Sequence, residues 1–268
     1  MLQFSDREAF VAFMNQDQPL RPANIANIVA INQGKRPLTM ENPVAEPLSP
    51  QAAYQLIQLE SQCANSCIVI DTRSSADFGA GHIPGAYNIQ LCSSEFEQRV
   101  GWVTPIDVPM VLVSDNAQSA QRAIHLLAFL GLDQRVKGFV DGGMEAWREA
   151  GLPHNTLMQI SVQTLYEKLQ NNGHKVLDVR EISEWDDGHI QDAHHMNFKV
   201  LRQRLNDLNV TPDDQIAIIC ASGLRSNTAG SILLMNRFKH VNNVIGGMTA
   251  WRKAGLPMVN AEGMVCHL

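Results

Sequence analysis

The 268-residue chain is 45% apolar and 18% charged, with a formal charge of −6. That length and apolar content give room for two ordinary domains with real cores, and exclude a disordered chain. The acidic balance argues against a nucleic-acid partner, which would call for a basic face.

The start, M-L-Q-F-S-D-R-E-A-F, has no basic segment followed by an apolar core, so it does not read as a secretory leader. No uninterrupted apolar run reaches the length needed to span a bilayer. A soluble, cytoplasmic protein with no membrane partner is therefore expected. The five cysteines, Cys63, Cys67, Cys92, Cys220 and Cys266, are odd in number and irregularly spaced. This suits a reducing compartment and not a disulfide framework.

Residues 1–45 read as an N-terminal arm. Phe4 to Phe13 has the spacing of a short amphipathic helix starting near Ser5, and Pro19 and Pro22 are expected to break regular structure after it.

From about Leu48 the chain repeats itself. Leu48-Ser49 with Tyr54 matches Ile160-Ser161 with Tyr166, each serine being placed to cap a helix. Ile68 to Arg73 matches Lys175 to Arg180, an apolar strand ending in a carboxylate and an arginine. Gly81-His82-Ile83 matches Gly188-His189-Ile190, and Gly142 to Arg148 matches Gly246 to Arg252. Both copies close on Ala-Gly-Leu-Pro. Two copies, 46–154 and 155–258, predict two domains of one α/β fold, each a mainly parallel sheet with helices on both faces. Residues 259–268 form a tail.

The copies differ where chemistry would occur. In the first, the apolar run Met110 to Val113 passes into Ser114-Asp115-Asn116, so the position answering to Cys220 is Ser114 or Asp115. Arg122 falls later, inside the expected helix. In the second, Ile216 to Ile219 reads as a buried strand that stops at Cys220. Ala221, Ser222, Gly223, Leu224, Arg225 and Ser226 follow, and a helix is expected from about Ser226.

Amides of a short loop entering a helix favour negative charge, and a nearby cation lowers a thiol's pKa. Cys220 is therefore expected as a thiolate beside a fixed positive charge on Arg225, with residues 221–226 cradling an anionic sulfur. The first copy, without cysteine or matching arginine, is expected to cover or shape the second.

Other residues read as structural. Asp71 with Arg73 and Asp178 with Arg180 are expected to form internal braces. His82 and His189 recur and are expected to pin a turn, and Trp147 and Trp251 to anchor a closing helix. Cys63 with Cys67 has no second pair to complete a metal site, and Cys92 reads as core or loop filler. His194 and His195, being adjacent, face opposite ways on a strand. No metal or other cofactor is expected. Cys266 is a candidate sulfur relay if the tail folds back over the loop.

The loop C-A-S-G-L-R-S, with the D-x-R and G-H-I signatures, resembles rhodanese-type sulfurtransferases over about residues 46–258. The resemblance implies a cysteine that takes a sulfane sulfur as a persulfide and passes it to a thiol or to cyanide. Four residues separate Cys220 from Arg225, as in sulfurtransferases, whereas phosphatases of the same fold have five. The neutral Ala221 and Ser222 differ from the more basic loop of thiosulfate-preferring two-domain enzymes. The arm, F-M-N-Q-D-Q-P-L-R-P-A-N-I-A-N-I-V-A-I-N, resembles the end of the metallo-β-lactamase-like domain in persulfide dioxygenase–rhodanese fusions, which implies a persulfide dioxygenase as a partner. The fusions' iron ligands have no counterpart here. The alternatives are a sulfur-carrier or docking module and a phosphatase of the same fold.

Overall fold

The computed structural model describes residues 6–15, 20–22, 24–35, 42–60, 67–171 and 173–264. The arm holds two helices, α1 (Arg7–Asn15) and α2 (Ile25–Asn32). The predicted start of the first helix at Ser5 lies outside the described residues. The second was not expected, because Pro22 was read as a breaker. Pro22 instead stands just before the helix and its carbonyl accepts from the Ile25 amide, a position where proline costs no helical hydrogen bond. Asn24 is buried at this entry, and Gly101 lies so close to it that a Cβ there would sit 2.8 Å from Asn24 Oδ1.

The first unit runs β1 (Pro47–Leu48), α3 (Pro50–Glu60), β2 (Ile68–Asp71), α4 (Ser75–Ala80), β3 (Ala86–Asn88), α5 (Phe96–Val103), β4 (Met110–Val113), α6 (Ala117–Ala128), β5 (Val136–Val140) and α7 (Gly143–Glu149). The second repeats it: β6 (Met158–Ile160), α8 (Val162–Gln170), β7 (Lys175–Asp178), α9 (Ile182–Asp186), β8 (His194–His195), α10 (Phe198–Leu201), β9 (Gln215–Ile219), α11 (Leu224–Met235), β10 (His240–Val244) and α12 (Gly247–Lys253). The sheets have the orders β1-β5-β4-β2-β3 and β6-β10-β9-β7-β8, with every pairing parallel. Helices cover both faces, so the central strands are buried throughout. Met110 to Val113 and Ile216 to Ile219 are all apolar for that reason.

The recurring motifs do the same structural work in both units. Arg73 clasps Asp71 at 2.6 Å and donates to the Gly81 carbonyl, while Arg180 clasps Asp178 at 2.6 Å and donates to the Gly188 carbonyl. Each brace thereby ties the strand end to the turn that carries the histidine. There, His82 stacks on Phe78 and His189 on Trp185, with each Nδ1 bonded to the carbonyl of the residue it stacks on. Trp147 and Trp251 are fully buried and donate Nε1–H to Pro153 and Pro257. Ser49 and Ser161 accept from the Ala52 and Thr164 amides, as caps.

One apolar cluster crosses from unit to unit, joining Phe78 and Ile89 to Ile218, Ile232 and Leu233. Its bridge is α11, in which Ser226 to Leu233 are all buried. The small side chains of that run fit a helix enclosed by its own sheet on one side and β3 of the first unit on the other. Among the described residues, no helix is long and apolar enough to cross a membrane.

Candidate active site

Strand β9 delivers Cys220 to the carboxyl end of the second sheet. Gly223, at φ +97°, turns the chain straight into α11, so the helix begins at Leu224 and not at Ser226 as predicted. A left-handed residue there costs glycine little, and it lets the loop close in four residues. Arg225 consequently sits in the first helical turn.

The loop's carbonyls are held from outside. The Met248 amide donates to Cys220 O at 2.7 Å and the Thr249 amide to Ala221 O at 2.9 Å, both from the first turn of α12. With those carbonyls fixed outward, the Gly223 amide points inward and donates to Cys220 Sγ at 3.2 Å. Ser226 Oγ lies 3.4 Å from the same sulfur and 2.6 Å from Asn243 Oδ1. Since a hydroxyl has one hydrogen, a protonated thiol donates to Ser226 while Ser226 donates to Asn243. An ionised sulfur can take the Ser226 hydrogen instead.

Cys220 itself is 0% exposed. Ser222 is exposed, Gly223 buried, and Ala221, Leu224 and Arg225 half-buried. On the outer side of the loop, a 280 Å³ cleft between the units is lined by Ser222, Gly223 and Leu224 with Ser74, Ser75 and Gln90. A larger cavity of 450 Å³ lies elsewhere, at the start of β7, and touches none of residues 220–226.

Arg225, expected to place a fixed positive charge beside the sulfur, is paired with a carboxylate that the sequence reading did not name. Glu184, at the start of α9, takes both terminal nitrogens, at 2.6 and 2.7 Å. Burial works against charge on Arg225, but the Glu184 bonds and the nearby Cys220 outweigh it and raise its pKa above the ordinary value. Burial likewise works against charge on Glu184, and Arg225 with the Glu181 amide overcomes it, leaving the carboxyl below its ordinary range. Glu184 was missed in the sequence. The available signal was its place four residues before Gly188, where the first copy, whose loop has no arginine matching Arg225, has the shorter Asp77.

The first unit shows what the loop looks like without this chemistry. Ser114, buried, occupies the place of Cys220: a Cβ on Gly143 would approach Ser114 O just as one on Gly247 would meet Cys220 O. Ser114 Oγ bonds Thr72, and Asn116 caps α6 with its side chain. The first unit reaches the second through Asn88, which accepts from Asn227 Nδ2 and Thr228 Oγ1, both at 2.7 Å. Sequence reasoning missed this clamp as well, since Asn88 is not a repeated position.

Cys67 is buried, while Cys92 is exposed on a loop and is no part of the core. His195 bonds the Arg180 carbonyl. Cys63 and Cys266 lie outside the described residues, so neither the paired-thiol reading nor the relay has a structural counterpart to compare.

The rhodanese-like domain model matches residues 49–150 and 161–254. The chain is 27% identical over 106 residues to the thiosulfate sulfurtransferase GlpE of Actinobacillus pleuropneumoniae, covering 40% of this chain and 96% of that protein. It is 36% identical over 98 residues to YrkF of Bacillus subtilis, whose name describes a candidate sulfur carrier. That match covers 36% of this chain, which spans about half, 52%, of YrkF. Among solved structures, a rhodanese-related protein of Thermoplasma volcanium is 33% identical, with a TM-score of 0.35, over 38% of this chain and 97% of that one. With a match in each half, the chain belongs to the rhodanese-like family and carries two copies of its domain.

Proposed function

We propose that the protein is a sulfurtransferase in which Cys220 carries the sulfur. The observation behind this reading is the Gly223 amide aimed at Cys220 Sγ at 3.2 Å from a four-residue loop, with Ser226 Oγ at 3.4 Å. An amide donor at a sulfur held on a strand end, with a hydroxyl in reach, suits that sulfur to act as nucleophile and as leaving group.

In the first step the Cys220 thiolate attacks the outer sulfur of thiosulfate. The sulfur–sulfur bond breaks, sulfite departs with its electron pair, and Cys220 becomes a persulfide anion. In the second step cyanide, or a thiolate such as that of glutathione, takes the outer sulfur and restores the Cys220 thiolate. A low-molecular-weight persulfide enters the first step in the same way and leaves as a thiolate. Because the sulfur is sealed, donor entry requires the groups over it to part. The first unit, with Ser114 in place of the cysteine, serves to cover and position the second. Residues 221–226 form the substrate cradle, and a persulfide dioxygenase is the partner that the arm's resemblance suggests.

The test is intact mass spectrometry after incubation with thiosulfate. The gain of one sulfur atom in the parent, absent from Cys220→Ser, is expected. No gain in the parent with any of thiosulfate, mercaptopyruvate or glutathione persulfide sinks the reading. A sulfur carrier, as the name of the Bacillus relative suggests, would gain the sulfur yet show no turnover with small acceptors. A phosphatase would hydrolyse phosphate esters and gain none.

A further inference from the structure

The 280 Å³ cleft between the units shares a wall with the sulfur loop. Gly223 lines it, and the Gly223 amide is the donor that lies 3.2 Å from Cys220 Sγ. A molecule whose sulfur reaches Cys220 from this side therefore rests its remainder against the cleft's lining. The volume is close to the lower bound of about 300 Å³ for small-molecule sites.

Among the described residues that lining is uncharged. It carries three hydroxyls, from Ser74, Ser75 and Ser222, and three amides, from Gln90, Gln159 and Asn243, with only glycine, alanine and aliphatic side chains besides. Arg225 is not part of it, and its guanidinium is taken by Glu184. An anion such as thiosulfate would leave water here without meeting a cation, which is costly, whereas a neutral amide needs only its own hydrogen bonds replaced.

The groups to replace them are present. Gln159 and Asn243 are spent on each other and on Asn227 and Ser226, and Ser74 on Asp77. The exposed Ser222 hydroxyl has no partner among the described residues. Ser75 Oγ accepts from Gln90 Nε2 and keeps its own hydrogen to give. Gln90 is 4% exposed, and its Oε1 is met by the weak Cys92 thiol donor at 3.8 Å. Two hydroxyl hydrogens and one amide oxygen thus remain on the walls, the set that matches the carbonyl and the N–H of an amide.

We infer that this cleft holds the body of an organic thiol or persulfide bearing an uncharged amide, read by Ser75 and Gln90 of the first unit and Ser222 of the loop, and that it prefers such a molecule to thiosulfate. The cysteine-less first unit then contributes specificity to the second, beyond covering it. This rests on the reading of Cys220 as the reacting group.

The probes are N-acetylcysteamine, an uncharged thiol with one amide, and 2-mercaptoethanol, an uncharged thiol with none. Cys220 in the full chain is loaded with sulfur, and discharge of the persulfide to each thiol is followed by intact mass spectrometry. A disturbed loop moves both rates together, whereas a lost amide contact moves their ratio. Gln90→Ala and Ser222→Ala should each lower the N-acetylcysteamine-to-mercaptoethanol ratio about fivefold, the effect of one neutral hydrogen bond. Should Gln90→Ala fail to fold, Ser75→Ala makes the same comparison from its partner. Ser75→Lys should raise loading from thiosulfate relative to loading from N-acetylcysteamine persulfide about tenfold, the scale of one charge at an intermediate dielectric. Ratios that stay unchanged in these variants while Cys220 still loads overturn the inference and keep the sulfurtransferase reading. A Cys220 that loads from no donor removes both. A fall confined to loading from N-acetylcysteamine persulfide marks the donor as the occupant, and a fall confined to discharge marks the acceptor.

Discussion

Glu184 holds Arg225 by both arms, Oε2 at 2.6 Å from Nη1 and Oε1 at 2.7 Å from Nη2, and the same carboxylate accepts the Glu181 amide at 3.1 Å. The pair thus fixes the arginine of the sulfur loop to the start of α9. Its role is to hold the guanidinium plane in place, since a fork bonded twice has little freedom to swing.

Glu184→Gln should lower stability at pH 7 by about 1 kcal/mol, the worth of a charged bond discounted for partial exposure. The Glu184 carboxyl sits below its ordinary value when folded. Its contribution is therefore present above the unfolded pKa, about 4.3, and is lost as pH falls through the lower folded value. Urea unfolding at pH 7 and again near pH 3 checks this: the gap between parent and variant should close on the acid side. Turnover with thiosulfate should fall about tenfold as Arg225 loses alignment.

Gly247 is where α12 meets the loop. It lies at φ +54°, and an added Cβ would overlap the Cys220 carbonyl oxygen and lie 2.7 Å from Ala221 O. Gly247→Ala should cost about 2–4 kcal/mol, combining backbone strain with a clash against main chain that has no room to yield. Sulfur transfer should drop about a hundredfold, as the loop that aims Gly223 N–H is displaced. Gly255 provides the control. At φ +64° with open space around it, Gly255→Ala should cost about 1 kcal/mol and leave turnover unchanged. Thermal melts and thiosulfate assays on the pair measure both effects.

Asn88 is fully buried and serves two purposes, its Nδ2 bridging the Asp71 and Arg73 carbonyls while its Oδ1 accepts from Asn227. Asn88→Ala takes this partner from the Arg73 carbonyl and from Asn227 Nδ2 in the interior, while the Asp71 carbonyl keeps the Ile89 amide. A loss of about 2–4 kcal/mol is expected from urea unfolding. Because the clamp grips α11 at Asn227, in the same turn as Arg225, iodoacetamide should also reach Cys220 faster in the variant.

His82 adds a second acid-sensitive contribution to stability. Burial lowers its pKa from 6.5 to about 4, with Arg73 and His154 adding to the effect and the Phe78 carbonyl opposing it. The neutral ring is the form that the fold accepts. Its contribution is present above pH 6.5 and is lost as pH falls to about 4, when the folded ring must also take a proton. At about 1.4 kcal/mol per pKa unit, roughly 3 kcal/mol goes in that window. His82→Gln should be less stable than the parent at pH 7.5, having lost the bond to Phe78 O, yet its stability should fall less steeply between pH 6.5 and 4. Calorimetry across that range decides it.

The sequence alone determined the duplication, the parallel α/β fold and the cysteine at the end of a buried strand. Each of these is written in contiguous residues: an apolar run, a D-x-R pair two residues apart, a tryptophan six residues from the carbonyl it bonds. Such signals survive in a linear reading because both partners belong to one element or to its immediate neighbour. The early start of α11 was missed because the φ that Gly223 adopts depends on what lies against the loop. The partner of Arg225 is 41 residues away, and Asn88 grips Asn227 across 139. Contacts of that kind exist only once separately formed elements dock, so tertiary structure decided them. It turned a loop arginine expected as a fixed charge beside the sulfur into half of an ion pair with Glu184.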